Sequence, residues 1–543
     1  MTAKTTSAKT QPLKTTTTSA ATNPTPRAAG ILLHPTSLPG AWASGDFGFE
    51  AEAFLDWAAE TGFSLWQILP ITSPAGGDSP YTSLSAFAIH PMLISIDRLL
   101  RDGLLVEDDV RDLRQESGDH CDMCRSREIR EPLLRRAFER YQEAPADWDE
   151  TFRPFLEDPL QGRWLDDWCL FAALRREVGN HGWWTWPEDL ARRRPEALAK
   201  ARKDYAESVA FERFLQCVAF GHWRELRAKA AEKGIEVIGD LPIYVAYDSA
   251  DLWTHPELFE LDDDLKPIKV AGVPPDYFSE DGQLWGNPLY RWDVVAERGF
   301  DWWIDRLRIN FSIADHIRLD HFRAFAGYWE VDAAAETARD GCWRPGPGKA
   351  FFDAVAAELG DPLPLVAEDL GEITDDVHEL RRAVGLPCMR VLQFGFDPMD
   401  GDHAPHRLRE DTLLYTGTHD NETTLGWYLS LSDEQRHVVR SYGGKEDVSA
   451  VDDLIRMAYT SVARWAVIPM QDALFLGSEA RMNTPGVAEG NWGWRMKELP
   501  GPAWSGRLHW LARISGRLPE SHLSEEEDRA DSEQAEGSDA SEI

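Results

Sequence analysis

Three acidic side chains placed at the ends of short apolar runs carry the chemistry open to this chain. The first run, from His316 to Leu319, ends at Asp320, and Arg318 stands two residues before it. On a strand those two share a face, so the guanidinium is expected to hold Asp320 ionised. The second run, Leu365 to Ala367, ends at Glu368. An ionised aspartate opposite a protonatable glutamate is the pair that retaining glycoside chemistry uses. The third, Leu413 and Leu414, leads through Thr416-Gly417-Thr418 into His419 and Asp420. Taken singly, each acid reads as readily as a structural ion pair. Three acidic strand ends in one chain are the pattern of a barrel rim.

The elements that must position these acids can be placed from periodicity and punctuation. Candidate strands are Gly30–His34, Ser64–Pro70, Glu236–Asp240, the runs ending at Asp320 and Glu368, Met389–Phe394, Thr412–Thr416 and Ala466–Asp472. Helix-like stretches separate them, Glu50–Glu60 being the first. Eight strands interleaved with helices give an α/β chain, and a parallel (β/α)8 barrel of the TIM type. The segment Pro91–Lys233 has apolar residues at helical spacing, as in Trp164, Trp168 and Phe171, and reads as a large, mostly helical insertion. Residues 241–297 are rich in Pro, Gly and aromatics and read as long ordered loops over the site.

Composition bounds the rest. The chain has 543 residues, 43% of them hydrophobic, which suffices for a full barrel of about 250 residues with insertions. No apolar run approaches the roughly 20 residues of a membrane helix. The formal net charge is −36, which repels nucleic acid and anionic membranes alike. So strong an acidic shell is relieved by salt, and a salt-rich cytoplasm is the sharper reading beside ordinary solubility. The six cysteines are scattered. Cys121 and Cys124 have metal-ligand spacing without a second pair, so they read as thiols rather than a zinc site, and no metal is expected. No disulfide framework is implied, which fits a reducing cytoplasm. Residues 1–28 are rich in Thr, Ser, Ala and Lys and read as a disordered arm. A plastid-type transit peptide is the weaker reading there, because Arg is scarce. The acidic tail 519–543 reads as disordered, leaving 29–518 as the catalytic barrel with its insertions.

Longer motifs then show a resemblance. They include His34-Pro35-Thr36-Ser37-Leu38-Pro39-Gly40, Ser79-Pro80-Tyr81 and Asp240-Leu241-Pro242-Ile243-Tyr244. Further on stand Gly272 to Phe278, Gln283 to Tyr290, Arg318-Leu319-Asp320-His321-Phe322-Arg323, Ala367-Glu368-Asp369-Leu370-Gly371, Gly417 to Asn421, and Gly477 to Asn483. From about His34 to Trp494 the chain resembles the amylomaltases, the 4-alpha-glucanotransferase or disproportionating-enzyme family of glycoside hydrolases. The resemblance implies transfer of alpha-1,4-glucan segments among maltodextrins, starch or glycogen, without a cofactor. It puts Asp320 in the place of the nucleophile, Glu368 in that of the general acid/base, and Asp420 in that of the carboxylate steadying the oxocarbenium-like state. Arg318 and His419 would flank the reacting sugar, with Tyr81 beside its ring. Ser79, Asp240, Asp276, Gln283, Trp285 and Asn483 match further sugar-contacting positions. The stretch Ala41 to Asp46 and the His90-Pro91-Met92 triplet depart from the family pattern, and the two charged tails are not family features.

The chemistry agrees. Breaking one acetal and making another needs no redox group, only a protonated leaving group and a sugar held on a carboxylate. Ionised Asp320 is expected to keep Glu368 protonated for the first step. Trp285 is the expected sugar-stacking ring, while Trp57, Trp66, Trp164 and Trp168 read as core. His321, next to Asp320, would face the other way on a continuing strand and reads equally as a buried supporting histidine or a sugar contact. An alpha-1,4-glucan hydrolase of amylase or glucosidase type would share every catalytic residue. An inactive regulator of glycogen metabolism is disfavoured by the presence of all three acids.

Overall fold

A computed structural model describes residues 26–179, 181–275, 280–399, 401–443 and 449–519. The expectations for residues 1–25 and 520–543, and for Asp276, lie outside those residues. Twelve strands are formed among them: β1 Ala28–Leu32, β2 Leu65–Gln67, β3 Glu236–Pro242, β4 Lys269–Val273, β5 Gln283–Pro288, β6 His316–Asp320, β7 Gly327–Asp332, β8 Cys342–Pro345, β9 Leu365–Ala367, β10 Cys388–Val391, β11 Thr412–Tyr415 and β12 Trp465–Pro469. Eight close into a barrel in the order β1-β12-β11-β10-β9-β6-β3-β2. The pairings within it are parallel. All eight strands expected from the sequence are barrel strands.

The strands are short and apolar because both faces are covered. One face fills the barrel interior with Leu32, Leu65, Ile238, Val366, Met389, Leu413, Tyr415 and Val467, all buried. Each such aliphatic side chain contributes about 1.5–3 kcal/mol on burial. Gly30 is required by that packing: a Cβ there would lie 2.8 Å from Leu65 Cβ and 2.8 Å from Val467 Cγ2. The other face packs against helices such as 49–60, 206–232, 301–313 and 450–460. The connection from β10 to β11 has only short 3-10 turns among the described residues.

Between β2 and β3 the chain runs through a succession of helices, the longest being Met123–Glu143 and Ala206–Glu232. The stretch 241–297 is more ordered than a set of loops. It contains β4 and β5, which join β7 and β8 in a separate four-stranded sheet of order β5-β4-β7-β8. Its pairings are antiparallel. The sheet has a very small core, Val270, Val331 and Ala338, while the middle of β5 and all of β8 stay exposed. Strands with so little buried surface show no alternation of apolar and polar residues, so periodicity does not reveal them.

Candidate active site

Parallel strands deliver their C-terminal ends to one rim, and Asp240, Asp320 and Glu368 all stand there. Asp240 lies opposite Arg318 in the register of β3 and β6. One guanidinium nitrogen of Arg318 donates to both Asp240 carboxylate oxygens, at 2.7 and 2.8 Å. Its other terminal nitrogen lies 2.9 Å from Asp320 Oδ1. Arg318 is 4% exposed and the Asp240 side chain fully buried, while the Asp320 side chain keeps 28% of its surface. Asp320 is therefore the accessible member of a buried acid–base–acid bridge. The Tyr81 hydroxyl completes the buried end, donating to Asp240 Oδ2 at 2.7 Å.

Glu368 follows β9, whose Val366 and Ala367 pair with Arg318 and Leu319. It thus occupies the position after β9 that matches Asp320 at the end of β6. Its own carboxyl is held by two backbone amides. The N–H of His321 donates to Oε2 at 2.7 Å and that of Leu370 to Oε1 at 3.0 Å. A carboxylate offers about four lone-pair directions, so each oxygen keeps one for a reacting group. His321 makes this possible by leaving the strand: its φ is +54°, the left-handed region that non-glycine residues seldom enter. The imidazole then meets the Trp285 ring edge-on at 4.7 Å and 80°. It is not a continuation of the strand, as the sequence suggested. Burial pushes its pKa down to about 3, so the ring is neutral.

The electrostatics differ from the expectation. Burial raises the Asp320 carboxyl above its ordinary range, and Arg318 opposes this without reversing it, because Asp240, Glu368 and Asp420 also act on Asp320. One arginine serves two carboxylates, so it does not hold Asp320 ionised as a simple pair would. Burial also raises Glu368, against Arg318 and the two amides, with Asp369 as the charge that adds to it. Desolvation, rather than an ionised Asp320, keeps Glu368 protonatable.

The third acid comes from the segment after β11. Asp420 accepts from the Asn483 amide at 2.6 Å and lies 3.3 Å from His419 Nε2. The buried His419 is pushed down by desolvation, and its ring stacks on Tyr81 at 5.2 Å and 16°. Trp492 closes this wall, 5.8 Å from Tyr81 and 5.9 Å from His419, at a φ of +64°. Sequence reasoning missed Trp492, because its partners Tyr81 and His419 come from two other segments of the chain. Gln283 and Trp285 form a local pair on β5, the indole N–H donating to the amide oxygen at 3.2 Å. Ser79 accepts from the Tyr81 amide at 3.4 Å and so shapes the Tyr81 turn. Asp240, matched to a sugar contact, has no exposed side-chain surface and reaches the site only through Arg318 and Tyr81. Among the described residues no three His, Cys, Asp or Glu side chains are grouped to hold a metal ion.

A parallel barrel whose rim carries carboxyls on adjacent strands, backed by a buried arginine and an aromatic wall, defines an enzyme of the glycoside hydrolase kind. Residues 33–500 match the family model described as 4-alpha-glucanotransferase, glycoside hydrolase family 77. The chain is 44% identical over 476 residues to the 4-alpha-glucanotransferase of Aquifex aeolicus, covering 87% of this chain and 96% of that one. It is 44% identical over 506 residues to the one from Thermus thermophilus, covering 91% and 99%. Its fold matches the amylomaltase of Streptococcus agalactiae, solved in complex with acarbose, with a TM-score of 0.87 and 38% identity over 91% of this chain and all of that one. The chain belongs to the 4-alpha-glucanotransferase family, and it is a transferase enzyme.

Proposed function

We propose that the protein moves alpha-1,4-glucan segments from donor to acceptor chains by a double displacement that retains configuration. The observation that carries this reading is the matched position of Asp320 and Glu368 on the adjacent strands β6 and β9. Both carboxyls sit above their ordinary range, so the pair holds a proton into the neutral region, and its titration belongs to the two together. In the productive arrangement that proton is on Glu368 and the charge on Asp320 faces Arg318. Glu368 then protonates the glycosidic oxygen while an Asp320 oxygen attacks the anomeric carbon. The leaving chain departs with the proton, and the sugar is left as an ester on Asp320. Esterification removes the Asp320 charge, and Glu368, now ionised, takes the proton of an acceptor hydroxyl that attacks the same carbon. Asp420, oriented by Asn483, faces the positive charge that develops at each transition state.

Transfer needs the ester to meet a sugar hydroxyl before water. The β4–β5 hairpin supports that, because Trp285 sits on it with its ring exposed at 36%, in edge contact with the His321 whose amide holds Glu368. Neutral glucans are the partners we propose, and the cytoplasm the location, in keeping with six free cysteines. No helix among the described residues is long and apolar enough to cross a membrane. Maltotriose alone tests the reading. Glucose and a ladder of longer maltodextrins are expected, with total reducing ends nearly constant. Reducing ends that climb from the start, with no product longer than the substrate, would make the protein a hydrolase.

A further inference from the structure

Asp420 stands on the segment between β11 and helix Thr424–Ser430. The chain after β12, the strand paired beside β11, grips that segment twice. At its tip, Asn483 donates to the Asp420 carboxylate and, through its backbone N–H, to the His419 carbonyl at 3.0 Å. Arg481 donates to the Asp420 carbonyl at 2.9 Å. At its base, Asp472, on the short helix Met470–Ala473, takes both ends of the segment at once. The hydroxyls of Thr416 and Thr424 each donate to Asp472 Oδ2 at 2.6 Å, and the Thr424 backbone N–H donates to Oδ1 at 2.8 Å.

Asp472 is 1% exposed, and Thr416 and Thr424 are fully buried. No basic side chain among the described residues pairs with Asp472. Burial raises its carboxyl above the ordinary range, and the three hydrogen bonds oppose that. A buried carboxyl without a cation is costly, and an apolar side chain would fill the same place at less cost. What the carboxyl adds is geometry. Of its roughly four lone-pair directions, three fix Thr416 and Thr424 relative to one another. Between those two points the segment is braced by Asn421, which accepts from the Thr418 amide at 2.9 Å and its hydroxyl at 2.8 Å, and by Gln393, which donates to the Glu422 carbonyl at 2.9 Å. The Asp420 side chain keeps 43% of its surface, so an exposed acid takes its place from a buried base. We propose that Asp472 is a positioning residue for glucan transfer, holding Asp420 against the reacting sugar from the base of its segment, an inference that rests on the role proposed above for Asp420. Asp472 makes no hydrogen bond to Asp420 and acts only through the chain between Thr416 and Thr424.

The test is a double-mutant cycle on the full chain, with kcat/KM for alpha-maltotriosyl fluoride as the readout. Asp472→Ala removes all three bonds and should lower kcat/KM about 10- to 100-fold, the scale of a misplacement of about 1 Å. In an Asp420→Asn background the same substitution should cost about twofold at most, because the carboxylate it positions is already gone. If Asp472→Ala does not fold, Thr416→Val, which removes one hydroxyl at nearly constant shape, takes its place in the cycle, with a smaller loss in the same pattern. An equal loss in both backgrounds, or no loss in the parent, would overturn the positioning role and leave the catalytic reading standing. An Asp420→Asn variant as fast as wild type would overturn the role of Asp420 and this inference with it.

Discussion

The backbone N–H of His321, held at a φ of +54°, donates to Glu368 Oε2 at 2.7 Å. The residue that follows the proposed nucleophile thus orients the proposed acid/base, through its main chain and at the cost of a left-handed conformation. A non-glycine residue in a sparsely populated region costs about 1–3 kcal/mol. The half-buried ring packs beside Trp285 and Tyr244, which holds it there.

Replacing His321 separates the two contributions. His321→Gly accepts the same φ freely and should keep the amide on Glu368, losing only the ring contacts. His321→Val, β-branched, resists that φ and should pull the amide away. Since the hydrogen bond lowers the Glu368 carboxyl, its loss raises that carboxyl further. The basic limb of kcat against pH should therefore move up in His321→Val and stay near wild type in His321→Gly. A loss of one such bond to a charged group, about 1.5–3 kcal/mol, corresponds to roughly 10- to 100-fold in rate. Equal profiles in the two variants would show that the main-chain bond does not matter.

A second expectation concerns stability and pH. The folded Asp320 carboxyl lies above its ordinary value, chiefly through burial. Between the unfolded value, about 3.9, and the raised folded one, the native state binds more protons than the unfolded chain. Stability then falls as pH rises through that window, and the contribution is fully present only below it. Asp320→Asn cannot ionise, so its Tm minus that of wild type should grow with pH across the window. A difference that stays flat or shrinks would mean that the carboxyl is not raised.

Trp285 is the ring best placed to hold an acceptor sugar near the ester. Trp285→Ala should leave the first displacement largely intact and raise the ratio of hydrolysis to transfer on maltotriose, because water gains on an acceptor that has lost its platform. Its neighbour Gln283 loses only the indole N–H at 3.2 Å, so the hairpin should remain folded. An unchanged ratio would move the acceptor platform elsewhere.

How much of this was legible in the sequence follows from where each signal resides. The barrel strands announced themselves because each is a short apolar run stopped by charge or by Gly and Pro. The Arg318–Asp320 contact was also legible, being a same-face pair on one strand. Its real electrostatics were not, because Asp240 shares the guanidinium from 78 residues away in the chain. Strands β4 and β5 fall within 241–297, which reads as loops, and nothing in the sequence analysis marked β7 or β8; the edge strands β5 and β8, exposed along most of their length, have no buried face to pattern them. His321 was misplaced by one assumption, that the strand continues past Asp320. Tyr81, His419 and Trp492 gather from three distant segments, and only the motifs around the first two pointed to the site.

The most direct measurement combines Glu368→Gln with a donor whose leaving group needs no protonation, such as alpha-maltotriosyl fluoride. Attack by Asp320 should then proceed, while the second step slows for want of a base. After quenching and proteolysis, mass spectrometry should find a maltotriosyl group esterified to the peptide containing Asp320, and Asp320→Asn in the same background should abolish the label. A label on any other residue, or full turnover of the fluoride with none accumulating, would contradict the proposed chemistry on Asp320.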